Sequence, residues 1–191
     1  MIVTILSALL HLASFSDASD RASSLWAANL KYFALTYHPE GGDYEGYPRK
    51  LDDAAYWVLQ VGLQADVDRR LTPWLQLRAS GAVYKDCADL WAGYAHLGPR
   101  LEWTPVSPLS LRIGIGPTFL WRQNWRLHVK GYTHDGFFGA ADSSAWQTVF
   151  LWYGGDVEAQ WRLDRKWSVV ASVIPGLPQV VTTSLGLRRE F

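Results

Sequence analysis

The chain has 191 residues, 49% of them hydrophobic, and its 18 basic and 18 acidic side chains cancel. That length suits one domain with ample room for a core. The balance excludes a polybasic nucleic-acid binder and an acidic disordered tail. The single cysteine, Cys87, excludes an internal disulfide. No stretch reaches the roughly 18 consecutive apolar residues of a spanning helix, so a helical membrane protein is excluded too. The one strong bias is aromatic: eleven Trp, nine Tyr and seven Phe against a single Met. Such rings have an apolar body and, in Tyr and Trp, a polar tip, and they collect where greasy and wet surroundings meet.

In chain order, an apolar run from Ile2 to Phe15 precedes the small-x-small site Ser16-Asp17-Ala18. Residues 1–18 therefore resemble a signal peptide with cleavage before Ser19, although no Lys or Arg precedes the run and His11 interrupts it. From Leu25 onward the pattern has period two. Segment 57–67 sets Trp57, Leu59, Val61, Leu63, Ala65 and Val67 on one face, with Gln60, Gly62, Gln64 and Asp66 on the other. Segments 71–84, 91–103, 109–121, 146–162, 167–174 and 180–190 alternate in the same way, and 26–38 is less clear because both faces carry apolar residues. Alternation of this length marks strands with one apolar and one polar or small face.

The connections alternate in length. Asp68–Arg70, Thr104–Pro108 and Leu163–Lys166 are tight, while 39–56 and 122–145 are long and fall in the odd-numbered set. An up-and-down barrel puts odd and even connections at opposite ends, and outer-membrane barrels pair short turns at one end with longer loops at the other. A soluble lipocalin-like barrel shares the alternation but turns its apolar face inward. Three features favour the membrane form. Trp57, Trp74, Trp91, Trp103, Trp121, Trp146, Trp161 and Trp167 sit near strand ends, as in aromatic girdles. Arg78, Arg100, Glu102, Arg112, Asp156, Glu158 and Arg162 on the polar face suit an ion-paired lumen. The last strand ends on Phe191. The expectation is an all-β chain: one eight-stranded antiparallel up-and-down transmembrane β-barrel over residues 19–191, monomeric, in the bacterial outer membrane.

Eight strands leave room inside for side chains or one slim ligand, not a channel. Gly62, Gly98, Gly114 and Gly116 on the inner face either leave a slot for an elongated apolar ligand or relieve crowding in a narrow barrel. Candidate chemistry gathers in the odd loops: His38 closes the first strand, Asp86 and Cys87 follow the third, and His128 and His134 lie in the fifth connection. A histidine, an acid and a thiol at one rim could supply a base, an orienting carboxylate and a nucleophile or donor. Asp86 also fits a plain turn-forming acid. No metal-ligand spacing is present, and no cofactor is expected.

Gly81-Ala82-Val83-Tyr84-Lys85-Asp86-Cys87, then Trp91-Ala92-Gly93-Tyr94, resembles the second outer loop of the lipid A palmitoyltransferases (the PagP family), where aromatic-Lys-Asp-Ser precedes a Trp and an Ala-Gly-Tyr. Arg112-Ile113-Gly114-Ile115-Gly116 with Arg122-Gln123-Asn124-Trp125 resembles that family's fifth strand and following loop. Ile174-Pro175-Gly176 resembles its last hairpin, and Thr36-Tyr37-His38 its Thr-Trp-His. The resemblance implies a barrel with an apolar pocket for one acyl chain, moving palmitate from a phospholipid donor to lipid A of lipopolysaccharide. It implies catalytic roles for His38 and Asp86, and it aligns Cys87 with the family's serine. The chain departs from the pattern there, in lacking three residues between Asp86 and Ala92-Gly93-Tyr94, and in leaving only Ser19 to Leu25 for an N-terminal helix. Arg122 or another base of the long loop could meet lipid A phosphates. The competing classes are a non-enzymatic structural or adhesive barrel of the OmpX type and a lipid A deacylase.

Overall fold

A computed structural model describes residues 25–38, 47–132, 137–138, 144–176 and 180–191. The signal-peptide segment and His134 lie outside these. Eight strands run in order: β1 Trp26–Tyr37, β2 Trp57–Arg70, β3 Leu75–Lys85, β4 Trp91–Val106, β5 Leu109–Gln123, β6 Trp146–Arg162, β7 Trp167–Gly176 and β8 Val180–Glu190. Each pairs antiparallel with the next and β8 pairs with β1, so the sheet closes on itself as an up-and-down barrel. A single helical turn, α1 (Trp125–His128), follows β5.

The apolar face of every strand points outward. Leu63, Val83, Leu97, Ile113, Ile115 and Leu185 are exposed halfway along their strands. Trp26, Trp74, Trp103, Trp161 and Trp167 ring the short-turn end, and Trp57, Trp91 and Trp146 ring the other. An exposed apolar band between two aromatic rings is the surface of a barrel solvated by lipid. The polar face is buried inside. Glu158 accepts from Arg78 Nη1 (3.0 Å), Arg100 Nη1 (3.2 Å) and Arg112 Nη1 (3.0 Å), and also pairs with Lys31. Asp66 pairs with Lys31 (2.9 Å) and Arg78 (3.2 Å), Asp68 holds Arg78 through two oxygens and pairs with Arg188, and Asp156 holds Arg100 (2.5 Å). This lattice fills the lumen at the short-turn end.

Three expectations change. Asp68–Arg70 is strand, and the turn lies at 71–74, where the Thr72 hydroxyl accepts from the amides of Trp74 and Leu75. Alternation continues through Asp68 because its carboxylate belongs to the lattice. The short fourth connection shrinks likewise: β4 runs to Val106 and β5 starts at Leu109. Finally, the four glycines do not form the slot. A methyl group on Gly62 would collide with Tyr84, and one on Gly116 with the backbone of Leu97 and Gly98, so crowding decides these positions.

The ambiguous first strand has a physical cause. Its ladders with β2 and β8 both shift between Phe33 and Leu35. Ala27, Asn29 and Lys31 are buried before the shift, Thr36 and His38 after it. One bulge therefore exchanges the two faces, and aims His38 inward.

Two outcomes follow from this architecture. Ile115→Arg, at the middle of the apolar band, should destabilise the bilayer-embedded barrel by about 2–4 kcal/mol, read from denaturant unfolding followed by tryptophan fluorescence; an unchanged midpoint would mean this face is not in lipid. Glu158→Gln should lose about 3–5 kcal/mol in the same assay, because four cations keep their burial and lose their common partner.

Candidate functional site

At the long-loop end the lumen is not filled. A cavity of about 500 Å³ lies above the ionic lattice, within the range of ligand sites in proteins. Its mouth is built by His38, the segment after β3, Trp125 of α1 and Tyr47.

His38 extends β1 by one residue, anchored where its amide donates to the Tyr56 carbonyl (2.8 Å). Its ring is buried against Tyr47 at 5.0 Å between centroids, and its Nε2 lies 3.0 Å from Cys87 Sγ. Gln60, on the inner face of β2, donates from Nε2 to the same sulfur (3.2 Å). The sulfur thus has an amide donor on one side, which leaves its own proton for the imidazole. Burial sets the protonation states: it lowers His38 below its ordinary 6.5 and pushes the Cys87 thiol up to about 12, the Gln60 bond opposing that rise. At neutral pH the pair is a neutral imidazole facing an intact thiol. Such a pair can pass a proton from sulfur to nitrogen as the sulfur attacks an electrophile.

Asp86 stands beside the pair, and its oxygens are otherwise engaged. Oδ1 accepts from the amides of Ala88 (3.0 Å) and Leu90 (2.9 Å), closing the turn before β4, and Oδ2 accepts from the Trp125 indole (2.6 Å). Burial raises its carboxyl above the ordinary range, with these three bonds opposing. Asp86 therefore ties the Cys87 turn to α1. Of the other histidines, His128 is exposed at the end of α1. Arg122 also lines the mouth, its guanidinium over Trp125 (4.6 Å) and Phe138 (4.0 Å), with Nε donating to Gln147 Oε1 (2.9 Å). Among the described residues no group of His, Cys, Asp or Glu has the arrangement of a metal site.

Gln60, Tyr47 and Trp125 were not singled out as site residues from the sequence. Only Gln60 had a readable signal: an inward-facing amide near the outer end of β2, at the same rim as His38.

The cavity also has a weak side. The β5–β6 ladder runs up to Gln123–Trp146, whereas β6 and β7 pair only from Val157–Val173 to Arg162–Ser168. Residues 146–156 of β6 thus have no β7 partner, and Leu151, Gly154, Ile174 and Pro175, which line the cavity, flank this break.

A closed eight-stranded barrel with a lipid-facing wall and an ion-paired interior defines the class: this is a small outer-membrane β-barrel protein. No family model and no curated protein sequence matches the chain. Among solved structures it is similar to Neisserial surface protein A (TM-score 0.52, 12% identity, 87% of this chain and 96% of that one). It is also similar to the N-terminal β-barrel domain of Pseudomonas aeruginosa OprF (TM-score 0.50, 14% identity, 86% of this chain and 97% of that one). At such identities the likeness is one of fold.

The state of Cys87 is directly measurable. In the folded protein at pH 8 its alkylation by iodoacetamide should run at least about a hundredfold slower than after unfolding, since burial withholds both access and thiolate. Equal rates would show that the thiol is open.

Proposed function

We propose that this barrel is an acyltransferase, moving an acyl chain from a phospholipid donor to a lipid A-type acceptor. The observation that carries it is the His38–Cys87 pair, Nε2 to Sγ 3.0 Å, at the head of a cavity with room for one chain. The resemblance of residues 81–94 to the lipid A palmitoyltransferases supports the same chemistry. The break between β6 and β7 is the route by which a chain would enter from the bilayer.

The sulfur of Cys87 attacks the ester carbonyl of the donor as His38 Nε2 takes the thiol proton. The acyl C–O bond breaks, the imidazolium returns that proton to the departing lysophospholipid oxygen, and a thioester remains on Cys87. His38 then takes the proton of the acceptor hydroxyl as the acceptor oxygen attacks the thioester carbonyl, and the acyl C–S bond breaks with the sulfur as leaving group. The thiol re-forms with that proton. Asp86 serves as a positioning residue, holding the turn that carries Cys87.

Lipid A from cells carrying the protein should gain one acyl chain by mass spectrometry. His38→Ala should reduce that gain by about 10²-fold or more. Because the base works as neutral imidazole and burial lowers its pKa, activity should hold at pH 6.5 and fall only below it. An unmodified lipid A with the unaltered protein would overturn the proposal.

The second reading is a non-enzymatic barrel. The fold shared with a Neisserial surface protein favours it, and it predicts lipid A of unchanged mass together with indifference to His38. A deacylase would instead shorten lipid A by one chain.

A further inference from the structure

The cavity is two-sided in its chemistry. Around the mouth it is aromatic and aliphatic, with Trp121, Trp125, Phe138, Leu120 and Pro175. Its inner end is polar: Gln64, Ser80, His96, Thr118 and Asp156 line it there, immediately above the lattice that holds Arg78 and Arg100. Ser80 pairs in register with His96 and His96 with Thr118, so three neighbouring strands present polar groups in one row. Ser80, His96 and Asp156 are only half-buried although they point into the barrel, so their remaining surface belongs to the cavity.

The hydrogen bonds already made at this end leave acceptors over. The Gln64 amide nitrogen donates to Asp66 Oδ1 (2.6 Å), so its oxygen is the free end, and that oxygen has no partner. The Thr118 hydroxyl donates to the Gly116 carbonyl (3.3 Å), so His96 Nδ1 is the donor in its 2.7 Å contact with Thr118. His96 Nε2 is then an acceptor, also without a partner. It and the Gln64 oxygen are both fully buried, so the surface offered to the cavity is that of Ser80, the His96 ring and Asp156. A plain hydrocarbon end laid on this wall would dry a carboxylate and a serine hydroxyl without replacing their hydrogen bonds, which is unfavourable.

We infer that the lumen selects an acyl chain bearing a hydroxyl group toward its far end, seated on Ser80, His96 and Asp156. The inference rests on the acyl-transfer reading only in taking an acyl chain as the occupant. Gln60, which touches the Cys87 sulfur, lies four residues above Gln64 on the same face of β2, about 13 Å along the strand. A chain of medium length spans that distance.

The test uses the intact barrel in phosphatidylcholine bilayer discs, with retention of radiolabelled ligand as the readout. It is titrated with decanoyl and with ω-hydroxydecanoyl lysophosphatidylcholine, and empty discs correct for partitioning. The hydroxylated ligand should bind about tenfold more tightly, one lost hydrogen bond to a charged or buried group being enough for that factor. Ser80→Ala combined with Thr118→Val, which removes one seat and the hydroxyl that orients the His96 ring, should bring the ratio to within about twofold. Equal or weaker binding of the hydroxylated ligand by the unaltered protein overturns this inference and leaves the acyl-transfer reading standing. Binding of neither ligand overturns both.

Discussion

The arrangement of this molecule depends on one buried carboxylate. Glu158 sits at the centre of the lower lumen, within hydrogen-bond reach of three guanidiniums and an ammonium from β1, β3, β4 and β5. Five of the eight strands thus meet through a single side chain. An eight-stranded barrel can be filled with hydrocarbon or with paired charge, and a lipid-facing wall already claims the apolar residues. The interior is then polar by necessity, and each charge in it has to be matched, since an unmatched one would cost several kcal/mol. That matching gives the barrel a solid end and a hollow end. The cavity exists because the lattice stops at Asp156.

What lies at the hollow end follows from interruptions in the ladder. The bulge between Phe33 and Leu35 reverses the inward face of β1 before its outer end. Without it Tyr37, and not His38, would face the lumen. A second shift lies between Gly116 and Thr118, where β6 opposes Pro117 with both Trp152 and Tyr153. Both rings end up on the lipid side, and Gly154 and Gly155 come to line the cavity. Each interruption serves the same end: it lets a closed sheet, whose side chains otherwise alternate strictly, place chosen residues at the rim or leave them out.

This explains what the sequence made legible. Period-two alternation is a local property, so the strands, the polar lumen and the tryptophan rings could be read directly. A bulge removes the signal it would be recognised by, and β1 accordingly looked ambiguous with Lys31 hidden in it. Asp68 looked like a turn residue because its partners, Arg78 and Arg188, come from other strands. The inner glycines permitted two explanations until Tyr84 and the Leu97–Gly98 backbone supplied the collision. His38 and Cys87 could be assigned to one rim by topology, but their contact depends on β2 and on Gln60. The use of Asp86 by Trp125, thirty-nine residues further along the chain, left no local trace.

The role of Asp86 also bears on how the site could work with a thiol. A carboxylate hydrogen-bonded to the imidazole would raise the basicity of His38 and favour a standing ion pair. Here the carboxylate is held by two amides and an indole, and the imidazole instead faces Tyr47 and the sulfur. Burial then acts on both partners in the same direction, away from charge. A thiol kept neutral is protected from alkylation and oxidation at rest, because thiolate is the reactive form. In the proposed acyl transfer it would become nucleophilic only when an electrophile occupies the cavity and the proton can move to His38 in the same step. Under that proposal the environment would let cysteine act as a serine does, with a larger and more polarizable attacking atom.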